Sequence, residues 1–209
     1  HIEAMLSGAR LGAAFERRFG RAWTQADVDV LYGQFEPALM RVLRGHCEVL
    51  PGVLKAVAQL RERGIRIGST TGYTAAVMEA VTAEARKGGY APDALVCPDE
   101  TGGIGRPYPY MLFRNLEKLG EMDIRRVLKL GDTAADIREG KHAGCVSVGA
   151  IRGSSMLGLS EVEYAALSGA ERAESFASAR EAYRVMGADF VIDSIEDLPA
   201  LLDRLKAVA

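Results

Sequence analysis

RVLKLGDTAADIREGKHAGCVSVGAI, which spans residues 126–151, decides the fold of this chain. It predicts a strand (RVLKLGD), a helix (AADIREGKHAG) and a second strand (VSVGAI), separated by short connections. The same alternation of strands and helices continues on both sides of this stretch, from Leu50 to the C-terminal helix. We therefore expect an α/β fold in which a parallel sheet is covered by helices on both faces.

The first part of the chain does not share this alternation, because it predicts helices only. One helix is expected over IEAMLSGARLGAAFERRFG and ends at Gly20, and Thr24 is suited to cap the next helix. Strands are predicted only beyond this region. The sequence therefore predicts two domains, a helical one over residues 1–48 and an α/β one over residues 49–209.

Composition and charge exclude several classes of protein. The chain has 209 residues, with 26 basic and 28 acidic side chains, and the net charge of −2 argues against a nucleic-acid-binding surface. It contains no apolar stretch long enough to cross a bilayer, so we expect no membrane association. Cys47, Cys97 and Cys145 are odd in number and lack metal-finger spacing. A disulfide framework is therefore not expected, and a reducing cytoplasm is the predicted location.

Three polar loops form the candidate site: GSTTGYT at 68–74, GRPYP at 105–109 and GDTAAD at 131–136. Each follows an apolar run or a turn, and each is expected to open a helix at the carboxyl end of a strand. Ligands of open parallel sheets bind beyond the carboxyl ends of the strands. We therefore interpret the three loops as one site for metal-assisted phosphoryl transfer.

The GDTAAD loop offers carboxylates to a metal ion. Asp132 is expected at the tip of a strand, where its carboxylate suits a hard divalent cation such as Mg²⁺ that keeps several waters. Asp136, one helical turn later, is expected to orient waters or a neighbouring cation. The alternative is helix capping, in which Asp132 or Thr133 accepts hydrogen bonds from the first turn of the helix.

The GSTTGYT loop has the groups of a phosphate site. Thr71 offers a hydroxyl, and Gly72 has no side chain to block the approach of an anion to the backbone. The helix that begins near Thr74 directs its positive end to the same place. The alternative is an ordinary helix cap, in which Gly72 serves only the turn.

The GRPYP loop places a cation where a helix disfavours it. Pro107 restricts Arg106 to extended geometry and then starts a helix, and a cation at a helix N-terminus costs up to about 1 kcal/mol. An anion between the guanidinium and the helix would remove this conflict. Alternatively, Arg106 points into water.

Other polar residues receive simpler interpretations. His46 and His142 lack the spacing of metal ligands and are interpreted as surface or cap residues. Gly153, Ser154 and Ser155 are interpreted as part of an ordinary polar loop, and the alternative is that they contact an anion.

IRIGSTTGYT, GRPYPYMLF, LGDTAADIREGKHAG and GSSMLGLSEVE resemble consecutive signatures of the phosphonoacetaldehyde hydrolases, a family of the haloacid dehalogenase-like (HAD) superfamily. The resemblance implies a Rossmann-like α/β core, a small helical cap, dependence on Mg²⁺ and a homodimer formed through the caps. It also implies hydrolysis of the C–P bond of phosphonoacetaldehyde to acetaldehyde and phosphate.

The resemblance also implies roles for individual residues. Asp132 matches the metal-binding aspartate, with Thr133 and the loop's second aspartate, Asp136, beside it. The phosphate-contacting motif is matched by Thr71 and Gly72, and the phosphate-binding arginine by Arg106. Tyr73 and His1 match a tyrosine–histidine pair that assists proton transfers near the aldehyde.

The family's two covalent catalysts have no counterpart among these residues. The nucleophilic aspartate belongs to an N-terminal first strand, and the Schiff-base lysine is expected three positions before His1. Both would therefore lie upstream of the chain, which alone is expected to be inactive. Lys129 is not an obvious substitute for the lysine, because in a strand it is expected to pack or to reach solvent.

The first strand of the family lies in the middle of the sheet, between the strands that lead to Thr71 and Asp132. Without it, buried backbone groups would lose partners at about 1–3 kcal/mol each, against a total stability of about 5–15 kcal/mol. We therefore expect this segment to fill the gap in the working protein. A sheet of the working protein with a central gap that no chain fills would contradict this expectation. The alternatives are another HAD phosphatase, or a truncated and catalytically silent protein for phosphate binding or dimerisation.

Overall fold

The computed structural model describes residues 2–206 and consists of two compact units. One unit ends at Cys47 and the other begins at Glu48. No helix of the described residues is both long and apolar enough to cross a membrane.

The N-terminal unit is helical. Its helices are α1 (Ile2–Ser7), α2 (Ala9–Phe19) and α3 (Gln25–Val42), and a short 3₁₀ turn (Leu43–Gly45) follows. The single helix expected before Gly20 is interrupted at Gly8, whose backbone is extended. Thr24 precedes α3 as predicted, and the carboxylate of Asp27 accepts a hydrogen bond from its N–H (2.8 Å). Leu6, Phe15 and Val28 are buried together and form the core of this unit.

The C-terminal unit alternates strands and helices. Its elements are α4 (Val53–Glu62), β1 (Gly68–Thr70), α5 (Ala75–Lys87), β2 (Ala94–Val96), α6 (Tyr110–Leu119), β3 (Leu128–Gly131), α7 (Ala134–Ala143), β4 (Val146–Ala150), α8 (Glu161–Ala166), α9 (Gly169–Val185), β5 (Phe190–Ile192) and α10 (Leu198–Lys206). All strand pairs in the described chain are parallel. The predicted α/β class is therefore confirmed.

The strands form two separate sheets. β1 pairs with β2, with Gly68 opposite Ala94. β3 pairs with β4, with Leu128 opposite Val146, and β4 pairs in turn with β5. Across residues 2–206, β1 and β3 each have a single strand partner. The sheet is thus divided between the strands that lead to Thr71 and Asp132.

Helices cover both faces of the three-stranded sheet. Because the side chains of a strand alternate in direction, neighbouring residues of β4 pack against different helices. Val148 of β4 packs with α4 and α10, in a cluster that includes Leu60 and Leu201. Its neighbour Ser147 faces α7 and donates a hydrogen bond to the carbonyl of Ile137 (3.0 Å). On that face α7 and α9 share a second core cluster. The carboxyl ends of β1 and β3 lead into two of the polar loops.

Candidate active site

Gly72 and Arg106, two of the predicted phosphate-binding residues, lie close together. A β-carbon at position 72 would lie 3.3 Å from Nη2 of Arg106. Nη1 of the same guanidinium pairs with Oδ1 of Asp136, and 21% of the Arg106 side chain is exposed. The guanidinium is therefore held by a carboxylate on one side, and its other nitrogen faces the loop after β1.

Asp136 is the centre of the ion pairs around Arg106. Its side chain is 4% exposed, and Oδ1 also lies 3.2 Å from the ammonium of Lys129. Oδ2 accepts hydrogen bonds from the hydroxyl (2.6 Å) and the N–H (3.2 Å) of Thr133. Burial by itself would raise the pKa of this carboxyl, but the charges of Lys129 and Arg106 and the hydrogen bond from Thr133 hold its pKa below the usual value. Asp136 is therefore ionised at neutral pH.

Lys129 and Glu139 extend this cluster into the interior. Nζ of Lys129 lies 2.7 Å from Oε2 of Glu139, and the two side chains are 10% and 0% exposed. Thr70, at the end of β1, accepts a hydrogen bond from Nζ of Lys129 (2.7 Å) and donates one to Oε2 of Glu139 (2.9 Å). Lys129 is packed in the interior rather than extended into solvent, which is one of the two expected outcomes. Its partners Thr70 and Glu139 were not predicted from the sequence. The available signal is a lysine inside an otherwise apolar strand, since buried lysines are almost always paired.

In the GDTAAD loop, Thr133 caps α7, and Asp132 takes no part in the cap. The hydroxyl of Thr133 accepts a hydrogen bond from the N–H of Asp136 (3.2 Å), and the Asp136 carboxylate binds the N–H of Thr133 in return. The capping interpretation therefore applies to Thr133, and the metal-ligand interpretation of Asp132 stays a prediction.

Asp132 is anchored by Ser155 and Tyr183, neither of which was predicted to contact it. The N–H of Ser155 donates to Oδ2 of Asp132 (3.3 Å), and its hydroxyl donates to the carbonyl of Asp132 (3.0 Å). The hydroxyl of the fully buried Tyr183 lies 3.0 Å from the same carbonyl, and burial raises the pKa of Tyr183 to about 12. Ser155 thus lies in a polar loop, as interpreted, and in addition holds Asp132, a role that was not predicted. Its presence in the GSSMLGLSEVE motif was the available signal.

Asp132 suits a divalent cation as a single protein ligand. Residues 2–206 contain no group of three or more histidine, cysteine, aspartate or glutamate side chains that could hold a metal. The nearby carboxylate of Asp136 is turned to Arg106 and Lys129. Oδ1 of Asp132 accepts no hydrogen bond from the described residues, and a lone carboxylate oxygen fits Mg²⁺ that keeps most of its waters.

The GSTTGYT loop has its expected polar groups, but the start of α5 is partly occupied. Oγ1 of Thr71 accepts a hydrogen bond from the N–H of Tyr73 (3.1 Å). Oδ2 of Asp99 accepts one from the N–H of Ala75, the first residue of α5 (3.0 Å). A carboxylate of the protein thus uses part of the positive helix end, so an anion is left with the backbone around Gly72.

The GRPYP loop differs from the expectation in the start of its helix and in the partner of Arg106. α6 begins at Tyr110 rather than at Pro107, so Arg106 precedes the helix and does not lie in its first turn. Asp136 already supplies the anion that was expected from a ligand. The loop is held to α7 by His142, whose Nδ1 donates to the carbonyl of Pro107 (2.8 Å).

The predicted proton-transfer pair consists of Tyr73 and His1. Tyr73 is 38% exposed. His1 lies outside the described residues. The roles of Tyr73 and His1 therefore remain predictions.

Contacts bring Gly72, Arg106 and Asp136 together. Asp132 lies four residues before Asp136 in the chain. Asp132 lines a cavity of 350 Å³ together with Arg152 and Glu161, and neither Gly72 nor Arg106 is among its lining residues. The arrangement offers a guanidinium and backbone groups to an anion, and the carboxylate of Asp132 is offered to a cation in the cavity that it lines.

The chain is similar to known proteins over almost its whole length. Residues 4–144 match the haloacid dehalogenase-like hydrolase family. Phosphonoacetaldehyde hydrolases of Lysinibacillus sphaericus and Parabacteroides distasonis are 43% and 42% identical over 206 residues, which are 99% of this chain and 77% and 78% of those proteins. The crystal structure of a phosphonoacetaldehyde hydrolase-like protein from Oleispira antarctica matches with a TM-score of 0.86 at 29% identity, over 99% of this chain and 75% of that one. The chain therefore belongs to the haloacid dehalogenase-like hydrolases and, within them, to the phosphonoacetaldehyde hydrolase family.

Proposed function

We propose that the working protein hydrolyses the C–P bond of phosphonoacetaldehyde to acetaldehyde and phosphate. The relatives named for this reaction support the proposal. The observation that carries it is the contact among Gly72, Arg106 and Asp136, because it directs an arginine to exposed backbone at the end of a strand.

Arg106 and the loop at Thr71 and Gly72 bind the phosphoryl oxygens in this proposal. A guanidinium offers planar donors that match a phosphoryl group, and a glycine lets an anion approach the backbone closely. Asp136 keeps the guanidinium in place through Nη1 and leaves Nη2 for the ligand.

The two covalent catalysts come, in this proposal, from a segment that precedes His1. A lysine condenses with the aldehyde to an imine and releases water. An aspartate then attacks phosphorus, and the C–P bond breaks with its electron pair moving into the protonated imine to give an enamine. Protonation and hydrolysis of the enamine release acetaldehyde and the free lysine. Hydrolysis of the aspartyl phosphate releases phosphate and restores the aspartate.

The divided sheet leaves room for this segment between β1 and β3. β1 and β3 each have one strand partner within the described part of the chain. A strand inserted between them would end near Thr71 and Asp132, where the nucleophile is needed. The chain without that segment is proposed to be inactive.

We propose Asp132 as a ligand of Mg²⁺, with Thr133 and Asp136 beside it. When bound, Mg²⁺ neutralises charge on the phosphoryl group. Asp132 presents its carboxylate from a fixed position, because the hydroxyl of Ser155 donates to its backbone carbonyl and the N–H of Ser155 donates to its Oδ2.

A homodimer formed through the helical unit is also proposed. Val30, Tyr32 and Phe35 of α3 are 59%, 74% and 44% exposed. Exposed apolar and aromatic side chains on one helix favour contact with a second copy. The three cysteines are unpaired thiols, which is compatible with the proposed cytoplasmic location.

The test is acetaldehyde release from phosphonoacetaldehyde by the full-length protein, with and without EDTA. We expect turnover that requires Mg²⁺, borohydride trapping of the imine, and loss of turnover in Asp132→Ala. Unchanged turnover in that variant would remove Asp132 from the metal site. Hydrolysis of phosphate esters alone would identify a different HAD phosphatase, and phosphate binding without any turnover would identify a silent binding protein.

A further inference from the structure

We infer that Lys129 is a positioning residue that fixes Arg106 in the orientation that binds the phosphoryl group. The inference rests on the proposed phosphate-binding role of Arg106. Only 10% of the Lys129 side chain is exposed. Lys129 therefore influences a bound ligand through the groups that contact its ammonium.

The ammonium of Lys129 has a partner for each of its N–H donors. Nζ lies 2.7 Å from Oγ1 of Thr70, 2.7 Å from Oε2 of Glu139 and 3.2 Å from Oδ1 of Asp136. An ammonium carries three N–H donors, so Lys129 has none left for a further partner. Lys129 thus joins the end of β1 to two carboxylates that lie on one face of α7.

The acceptor positions of the Asp136 carboxylate are likewise all used. Its Oδ1 contacts Arg106 and Lys129, and its Oδ2 contacts two groups of Thr133. A carboxylate has about four acceptor positions, so this one cannot rotate without losing hydrogen bonds. Because Arg106 pairs with it through Nη1, Nη2 is left directed at Gly72. Lys129 thereby sets the direction of Arg106.

Removal of Lys129 would leave two buried carboxylates with one cation. Asp136 and Glu139 are 4% and 0% exposed, so water cannot compensate for the lost ammonium. Arg106 would be drawn towards them and away from Gly72. Phosphate binding should weaken both because the orientation is lost and because positive charge is lost.

Lys129→Met in the full-length protein tests this inference. Methionine retains an unbranched apolar stem and removes the ammonium. Thermal unfolding and the binding of inorganic phosphate are measured on the same samples. We expect a lower Tm and a loss of phosphate affinity of about tenfold or more, as for the loss of one charged hydrogen bond. Lys141→Met is the matched control, because Lys141 lies on α7 but pairs with Asp189 (2.6 Å), and it should leave phosphate affinity unchanged.

The double variant Lys129→Met/Glu139→Gln separates positioning from packing, and it remains informative if the single variant does not fold. It removes one cation and one anion, so the charges of the cluster balance again and most of the Tm should return. Phosphate affinity should stay reduced by about tenfold, because Asp136 still lacks Lys129. Recovery of both quantities together would reduce Lys129 to a structural role and overturn the inference.

The outcomes separate this inference from the proposed function. If wild-type protein does not bind inorganic phosphate, the proposed role of Arg106 and the inference both fail. If wild-type protein binds phosphate and Lys129→Met binds it equally well, the inference alone is wrong. A loss of affinity that persists in the stable double variant supports the inference.

Discussion

A carboxylate that is 4% exposed, like that of Asp136, needs cations and donors to replace its lost hydration. Asp136 obtains them from Arg106, Lys129 and Thr133, which belong to three different parts of the chain. The sequence predicted that Asp136 would act beside the metal ligand, with Thr133 next to it, and did not predict the ion pairs with Arg106 and Lys129. They depend on how β3, α7 and the GRPYP loop pack together, which no local pattern encodes.

Asp136→Asn should destabilise the protein in a pH-dependent manner. The pKa of Asp136 is lower in the folded protein than in the unfolded chain, where an aspartate has a pKa of about 3.9. Its ion pairs therefore contribute stability above about pH 4, and this contribution is lost as the pH falls through the folded pKa. We expect a loss of about 3–5 kcal/mol at pH 7, as for one partner of a buried ion pair, and a smaller loss below pH 4.

Urea unfolding of both proteins between pH 3 and pH 7 measures this effect. Asp203→Asn is the control, because that carboxylate is 63% exposed and its ion pair should contribute little. A difference between wild type and Asp136→Asn that stays constant over the whole range would contradict the assigned ion pairs.

At the scale of elements, periodicity and capping signals predicted most helices and strands of the described chain, and the ends were less accurate. Thr24 and Thr133 cap helices as their sequence positions indicated. The strand expected before the GSTTGYT loop is only three residues long (Gly68–Thr70), and α6 begins at Tyr110 rather than at Pro107. Strand ends depend on which neighbouring strand is available for pairing, and β1 has only β2 among the described residues.

The packing of α7 on the sheet decides whether Lys129 meets Glu139. A β-carbon at Gly140 would lie 2.8 Å from Oγ of Ser147 and 2.9 Å from Cβ of Lys129. Gly140→Ala should therefore push α7 away from β3 and cost about 1–3 kcal/mol of stability. Gly169→Ala is the matched control, because open space surrounds that glycine in α9 and alanine favours helix by up to about 1 kcal/mol. Equal effects of the two substitutions on Tm would show that α7 is not in close contact with β3.

At the scale of the whole molecule, the sequence predicted the parallel α/β class but not the partners of each strand. Motif resemblance placed the division of the sheet between the strands that lead to Thr71 and Asp132, and the described strands are divided there. The helical N-terminal unit and the α/β unit differ in pattern because helices bury one apolar stripe, whereas central parallel strands are buried on both faces.

Tyr32→Glu should dissociate the proposed homodimer. Tyr32 is 74% exposed on α3, and a carboxylate buried in an apolar interface would be left without a partner. Light scattering of the full-length protein should show a dimer for wild type and a monomer for the variant. Val162→Glu, at a position that is 80% exposed on α8, should remain a dimer. A monomeric wild type, or a dimeric Tyr32→Glu variant, would contradict this interface.

The most direct measurement is a calorimetric titration of the full-length protein with inorganic phosphate, comparing wild type with Arg106→Ala. Arg114→Ala serves as the control, because Arg114 forms an exposed ion pair within α6. We predict that wild type and Arg114→Ala bind phosphate with the same affinity and that Arg106→Ala binds it about tenfold more weakly or worse. Equal affinities in all three proteins would show that Arg106 does not bind the phosphoryl group.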